Sequence, residues 1–219
     1  MNPRRHDVAT VKTQQGNFRL EAVTSDAQTH HELSVNGQVL ASTSSDLEIV
    51  LAQMALAGIP VGQSYAEVLI GGLGLGVTLR QVLNHKAVQS VCVVEVEPRV
   101  VEWNRTCLGN DDLLDDERVE LVVGDFCSYV QGVPCNYHGI VMHIDVGPDD
   151  VTRSENRQAY SLTMLRLLQT RLRAGGMLAL CAGKATDAYE RALRGIFSSV
   201  EISIQNDNDR SSTIYQVMA

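Results

Sequence analysis

The sequence has few of the features of nucleic-acid-binding, secreted or membrane proteins. Basic residues are in the minority: 18 Lys and Arg stand against 26 Asp and Glu, for a net charge of −8. This balance disfavours nucleic acid and anionic membranes as partners. No apolar run is long enough to span a membrane, and none follows the basic pair Arg4-Arg5, so we expect neither a membrane span nor a signal peptide.

Metal-binding and disulfide patterns are also missing. The five cysteines show no Cys-x-x-Cys spacing, so free thiols in a cytoplasmic protein are the expectation. The pair His30-His31 lacks the further ligands of a metal site, and we predict no bound metal. Hydrophobic residues make up 44% of the 219 residues, which is enough for one α/β domain with an appendage.

A glycine-rich stretch, Val68-Leu-Ile-Gly-Gly-Leu-Gly-Leu-Gly76, is the central motif of the chain. Its apolar start predicts a short buried strand, and the helical pattern after it begins near Leu79. Strand, glycine turn and helix form the entry to a βαβ nucleotide site, where glycine backbone approaches the ligand and the helix N-terminus supplies free amides. By itself the turn is a weak signal, because many such turns need glycine only for packing.

An acid at the end of the next predicted strand strengthens this interpretation. Val91-Cys-Val-Val-Glu95 is a β-branched run that ends in a carboxylate. An acid about twenty residues after the loop can accept both ribose hydroxyls of an adenosine. The alternative is a solvated carboxylate at a strand end, and the joint presence of loop and acid favours the ribose role.

The first sixty residues predict a small appendage. Residues 1–17 are polar and are expected to be mobile, and a hairpin with Asn36-Gly37 at its turn follows. Ser45-Asp-Leu-Glu48 has the pattern of a capping box that opens a helix. We therefore divide the chain into an N-terminal β-hairpin and helix appendage, 1–60, and a nucleotide-binding domain, 61–219.

From Tyr65 onward, predicted strands and helices alternate. The predicted strands are 66–71, 91–96, 119–123, 138–145, 176–182, 198–204 and 212–218. The predicted helices are 76–84, 98–108, a short turn from 126, 156–173 and 185–197. The last two strands follow each other through a polar loop, which indicates an antiparallel hairpin at the sheet edge. This count predicts an α/β fold: a Rossmann-like, seven-stranded class I methyltransferase sheet.

Four segments resemble the spermidine synthase-like branch of that superfamily. They are the glycine stretch, Val93-Val-Glu-Val-Glu-Pro98, Asp116-Glu-Arg-Val-Glu-Leu-Val-Val-Gly-Asp125 and Leu172-Arg-Ala-Gly-Gly176. The resemblance implies binding of an adenosine sulfonium cofactor. By this match Glu95 would hold the ribose and Asp125 would accept from the adenine amino group, with the Phe126 amide nearby. The residues predicted to contact the cofactor are Gly71, Gly72, Gly74, Gly76, Glu95, Val96, Asp125, Phe126 and Asp145.

The sequence also departs from this family. The synthases carry an acid in the glycine loop that holds an aminopropyl ammonium, whereas this loop has none, which favours intact S-adenosylmethionine as cofactor. The positions that match the polyamine-binding residues of the synthases are apolar. They are Leu40, Ile49, Val50 and Leu51. From these departures we expect that the chain does not act as a polyamine aminopropyltransferase.

The catalytic residues are predicted at the end of the fourth strand of the alternating region. Counting from Tyr137 places His143 at the position of the family's catalytic acid, and Asp145 lies two residues further on the same face. Either could act as a base or orient a substrate, and Tyr160 is a third candidate. Two alternatives remain: Asp145 could only cap the following loop, and Asp125 could only cap a helix.

Three functions follow from these residues. The first is methyl transfer from S-adenosylmethionine to a small molecule. The second transfers or cyclises the 3-amino-3-carboxypropyl group and releases methylthioadenosine. The third is a non-catalytic nucleoside-binding protein. In each case the partner is a small molecule rather than nucleic acid or membrane, and the sequence is compatible with a homodimer.

Overall fold

The computed structural model describes residues 3–26, 28–149, 151–184, 186–207 and 210–219, which form two β-sheets and seven α-helices. The smaller sheet is antiparallel with strand order β1-β2-β3-β4. Its strands are β1 (Arg4–Thr13), β2 (Gly16–Ser25), β3 (Gln28–Val35) and β4 (Gln38–Ser42).

The prediction that residues 1–17 are mobile is wrong for the described part of this segment. Strand β1 pairs with β2 over most of its length. Val8 and Val11 pack against the hydrophobic cluster beneath the small sheet, and the Arg5 guanidinium lies 2.7 Å from the Glu32 carboxylate. Only a few apolar residues of β1 face this cluster, so the composition of the segment is mostly polar and does not indicate a strand. The strand is stabilised by its pairing with β2.

Helix α1 (Leu47–Leu56) connects the small sheet to the large one and packs on the face of the large sheet. Its approach is close: a Cβ on Gly139, in the large sheet, would lie 2.7 Å from the carbonyl oxygen of Ala55. The predicted capping box is wrong. Asp46 is the N-cap residue and its side chain makes no capping hydrogen bond, the Ser45 hydroxyl accepts from the Leu47 amide, and Glu48 is buried. The domain boundary at residue 60 falls shortly after this helix and stays a prediction.

The large sheet has the strand order β10-β11-β9-β8-β5-β6-β7. Strands β5 to β9 are parallel, and β11 and β10 form an antiparallel hairpin at the edge. This arrangement confirms the predicted fold class and edge hairpin. The strands are β5 (Ala66–Gly71), β6 (Val88–Glu95), β7 (Val119–Val123), β8 (Tyr137–Met142), β9 (Leu172–Cys181), β10 (Ser199–Asp207) and β11 (Arg210–Met218).

The remaining helices lie on the two faces of the large sheet. They are α2 (Val77–Leu83), α3 (Pro98–Thr106), α4 (Asp111–Leu114), α5 (Phe126–Gly132), α6 (Leu162–Thr170) and α7 (Asp187–Arg194). The single helix predicted over 156–173 is wrong: a 3₁₀ helix, Ser154–Tyr160, precedes α6. Ser161 is extended between them, and its hydroxyl caps α6 by accepting from the Met164 amide. The predicted polar loop between the last strands is largely strand, and its residues 208 and 209 lie outside the described residues.

Apolar side chains cover both faces of the large sheet. Helices α5, α6 and α7 pack on one face, and α1 and α2 pack on the other. A third cluster joins the small sheet to Leu75, Val100 and Trp103. The small sheet is therefore fixed against the glycine turn and α3. None of the described helices is long and apolar enough to cross a membrane.

Candidate active site

The glycine turn lies where the order of strands reverses. Strand β5 pairs with β6 on one side and β8 on the other, so a crevice opens beyond its carboxyl end. The Gly72 amide donates to Val94, and the His143 amide donates to Gly71. Gly72 has φ +92°, and a Cβ there would lie 2.4 Å from the carbonyl oxygen of His143. Only glycine fits this position, because the turn passes directly against the end of β8.

Glu95 connects the glycine turn to the end of β6 through hydrogen bonds of its side chain. Its side chain is buried; one oxygen accepts from the Leu73 amide and the other from the Glu97 amide, each at 2.9 Å. Burial raises the pKa of the Glu95 carboxyl, and these amides oppose that rise. Glu95 and Val96 both line a cavity over the strand ends, which we call the first cavity. A carboxylate has about four acceptor positions, so Glu95 can still accept from a ligand.

Asp125 and Phe126 form another part of the first cavity. Asp125 caps α5: its Oδ1 accepts from the Ser128 amide and from the Ser128 hydroxyl, both at 2.7 Å. The helix-cap alternative is therefore part of its role. The Phe126 ring lies against Gly71, where a Cβ would approach it to 2.7 Å.

The four glycines predicted to contact the cofactor differ in whether they line the first cavity. Gly72 and Gly74 line it directly. Gly71 accommodates the Phe126 ring. Gly76, with φ +81°, is the N-cap of α2, and a Cβ there would lie 2.8 Å from the Asn110 side chain. Gly71 and Gly76 thus shape the turn from outside the cavity wall.

Asp145 accepts hydrogen bonds from several residues of the loop that lines the first cavity. Its carboxylate accepts from the Val146 amide, from the Thr152 amide and hydroxyl, and from the Asn156 side chain. Thr152 and Asn156 themselves line the cavity. The Tyr160 hydroxyl donates to the Asp145 carbonyl at 3.2 Å, and burial raises the Tyr160 pKa well above its usual range. Asp145 and Tyr160 therefore lie behind the cavity wall, and their catalytic role stays a prediction.

His143 lies at the junction of two cavities. It lines the first cavity and also a second one, formed by the turn between β3 and β4, the start of α1 and the loops that follow β8 and β9. Protein atoms surround the ring although solvent in the cavities reaches part of it, and this burial lowers the pKa of His143 to about 4. The imidazole is therefore neutral at physiological pH.

Glu48 is the site residue that the sequence analysis missed. It is 5% exposed and, like His143, lines both cavities. Helix α1 crosses β8 where Ala55 meets Gly139. From that crossing, seven helical residues reach back about 10 Å to Glu48, and four strand residues reach forward about 13 Å to His143. The capping-box pattern predicts that the Glu48 side chain binds a backbone amide at the start of α1. For this reason the pattern does not identify Glu48 as a site residue.

The charges of the first cavity are mainly negative. Three carboxylates line it, those of Glu48, Glu95 and Asp125, and Arg153 is the one cation among its described lining residues. Such a balance favours a cationic ligand. A glycine turn at the strand reversal, with acids at the ends of the next two strands, is the arrangement found in the class of α/β folds that bind nucleotides at this point of the sheet.

Comparison with known proteins narrows this class to one family. The model of the spermine/spermidine synthase domain matches residues 49–197, so the chain belongs to this family. It is 34% identical over 143 residues to polyamine aminopropyltransferase 2 of Pseudomonas aeruginosa, covering 61% of this chain and 40% of that protein. It is 30% identical over 144 residues to the polyamine aminopropyltransferase of Pyrobaculum neutrophilum, covering 62% and 48%. The chain thus spans less than half the length of these relatives.

Solved structures agree on the fold. The spermidine synthase of Thermotoga maritima superposes with a TM-score of 0.77 at 17% identity, over 97% of this chain and 72% of that one. A spermidine synthase in complex with the transition state analogue AdoDATO superposes with a TM-score of 0.74, also at 17% identity.

These findings correct the predicted function. Methyl transfer and S-adenosylmethionine as cofactor are wrong, as is the expectation that the chain is not an aminopropyltransferase, because the matching family is the spermine/spermidine synthase domain and the relatives are named polyamine aminopropyltransferases. The carboxypropyl and non-catalytic alternatives are set aside for the same reason. The error came from two local departures that do not describe the whole site: the glycine loop without an acid, and the apolar residues at Leu40, Ile49, Val50 and Leu51.

Proposed function

We propose that the chain transfers the aminopropyl group of decarboxylated S-adenosylmethionine to a small amine and releases methylthioadenosine. The observation that carries the proposal is the buried Glu48 carboxylate at the junction of the two cavities. It supplies, from α1, the negative charge that the glycine loop lacks. In this role it pairs with the ammonium at the end of the aminopropyl group.

The rest of the first cavity suits the donor nucleoside. Glu95 accepts from the ribose hydroxyls, and the Oδ2 atom of Asp125 accepts from the adenine amino group. Decarboxylated S-adenosylmethionine carries a sulfonium and an ammonium and has no carboxylate. The lining residues of the first cavity include three carboxylates and one guanidinium. Their net negative charge suits the two positive charges of this donor better than it suits a ligand that carries its own carboxylate.

The reaction needs one displacement. The acceptor nitrogen forms a bond to the propyl carbon next to sulfur, and the carbon–sulfur bond breaks with its electron pair left on a neutral thioether. Because the sulfonium is already activated, the protein mainly has to align the amine and keep it uncharged. The neutral His143 imidazole at the junction can accept a hydrogen bond from that amine and pass its proton to cavity water.

The variant Glu48→Gln tests the proposal. We expect it to weaken binding of decarboxylated S-adenosylmethionine by about tenfold or more, because a charge-assisted contact contributes about 1.5–3 kcal/mol. Binding of methylthioadenosine, which has no ammonium, should change little. Isothermal calorimetry with both ligands measures the difference, and Glu201→Gln, an exposed position on β10, is the matched control.

Turnover provides the second measurement. Wild-type protein mixed with decarboxylated S-adenosylmethionine and a panel of amines should release methylthioadenosine together with an aminopropylated product, detected by mass spectrometry. Absence of both products with every amine would rule the proposal out. So would equal loss of affinity for both ligands in Glu48→Gln, since the carboxylate would then not recognise the ammonium.

A further inference from the structure

The second cavity differs from a site for a diamine. Among its described lining residues, the charged side chains are Glu48 and Lys184. The other polar side chains are His143, which is neutral, and uncharged hydroxyl and amide groups. These groups belong to Asn36, Gln38, Ser42, Ser45, Gln205, Ser211 and Ser212. A diamine has a positive charge at its far end, and these residues offer it one carboxylate, which the proposed donor already uses.

Lys184 lies away from the reacting end of the cavity. Glu48 and His143 line both cavities and so mark the junction, whereas Lys184 lines only the second. An acceptor whose nitrogen reaches the junction therefore extends its other end into the space that Lys184 lines. A positive tail there meets a like charge, and a negative tail meets an opposite one.

The backbone before Lys184 is held in place. Gly183 has φ +47°, and a Cβ there would lie 2.4 Å from the Val146 carbonyl oxygen. The Gly183 carbonyl also accepts from the Thr213 amide at 2.8 Å. These contacts fix the chain between the loop after β8 and the edge hairpin, so the lysine side chain starts from a rigid position at the cavity wall.

We propose that the acceptor is an amine with an anionic far end, of the ω-amino acid class, and that Lys184 selects it over a diamine. This inference rests on the proposed aminopropyl transfer. The nitrogen of the amino acid takes the aminopropyl group at the junction, and its carboxylate pairs with the Lys184 ammonium. The serine hydroxyls around the cavity can donate to the same carboxylate.

A series of acceptors with matched chains tests the proposal. At three, four and five carbons, each ω-amino acid is compared with the diamine and the amino alcohol of equal length, with decarboxylated S-adenosylmethionine as donor. The measured quantity is kcat/KM for the aminopropylated product. At the best chain length we expect kcat/KM for the amino acid to be about tenfold higher than for the diamine, as a solvent-accessible charge contact predicts. The value for the amino alcohol should lie between the two.

Variants assign the preference to Lys184. In Lys184→Gln the amino acid and the diamine should react at rates within about threefold of each other. In Lys184→Glu the diamine should be preferred. The matched control Lys86→Gln changes an exposed lysine before β6 and should keep the wild-type order. Because Lys184 is also exposed, these variants should melt at the wild-type temperature.

Failure of this inference is separable from failure of the proposed function. A diamine preferred at every length, or an unchanged preference in Lys184→Gln, would overturn the acceptor class and leave aminopropyl transfer standing. No methylthioadenosine with any acceptor would overturn the proposed function, and the acceptor class with it.

Discussion

The two cavities that meet at Glu48 and His143 are built from different parts of the chain. Strand ends and turns of the parallel sheet line much of the first, which carries three carboxylates and one guanidinium. The second is lined largely by the turn between β3 and β4, the start of α1 and the edge hairpin, and its described lining residues carry mostly uncharged polar groups, one carboxylate and one lysine. In the proposed function, donor recognition therefore depends mainly on the core of the fold, and acceptor recognition on elements at its margins.

This difference predicts that backbone changes in the first cavity cost stability as well as binding. Gly72→Ala should have the largest effect, because φ is +92° and the new Cβ would lie 2.4 Å from the His143 carbonyl oxygen. We expect a loss of about 3 kcal/mol or more in the free energy of unfolding, measured by chemical denaturation. Gly132→Ala, where a Cβ meets open space at the end of α5, should change it by less than about 1 kcal/mol. Equal midpoints for the two variants would contradict this account of the turn.

The junction should respond to acid. Burial lowers the folded-state pKa of His143 from 6.5 to about 4, so the unfolded chain binds the extra proton first as the pH falls. The contribution of this residue to stability is complete above pH 6.5 and is lost between about pH 6.5 and pH 4. The loss amounts to at most about 3 kcal/mol, from 1.36 kcal/mol per pKa unit.

Unfolding curves of wild type and His143→Gln over this range measure the effect. The stability of wild type relative to His143→Gln should be constant from pH 7.5 to about 6.5 and should then fall steadily down to pH 4.5. A difference that stays constant across the range would show that the pKa of His143 is the same in the folded and the unfolded protein, so that the ring is not desolvated.

The loop over the first cavity should show a smaller effect. Asp145→Asn must turn an NH₂ group toward donors, either the Val146 and Thr152 amides or the Thr152 and Asn156 groups, which costs about 1–3 kcal/mol. Asp149→Asn, exposed in the same loop, is the control. If the predicted catalytic role of Asp145 is correct, turnover should fall strongly well below the melting temperature while methylthioadenosine still binds. Normal kcat in the folded variant would leave Asp145 with the loop-holding role alone.

Sequence patterns located the first cavity better than the second. The glycine turn, Glu95 and Asp125 follow strands whose period and composition are local properties, and all three regions contribute to the first cavity. Strand β7 begins and ends at the predicted residues. By contrast, the pattern Ser45 to Glu48 satisfied a local rule, and the structure directs Glu48 to the cavities instead. A capping rule considers only hydrogen-bond partners within one turn of the helix. It carries no information about a cavity to which a distant strand contributes.

Local sequence patterns were enough to predict the alternating α/β fold, the glycine turn and the acids at the ends of β6 and β7, because each depends on residues close in the chain. Long-range packing made β1 a strand, made Asp145 the acceptor that holds its loop, and brought the buried Glu48 carboxylate to the wall of both cavities. The approach of α1 to Gly139 brings Glu48 to the end of β8 across more than ninety residues of sequence. Contacts of that range arise from packing, since no local preference specifies which helix crosses which strand.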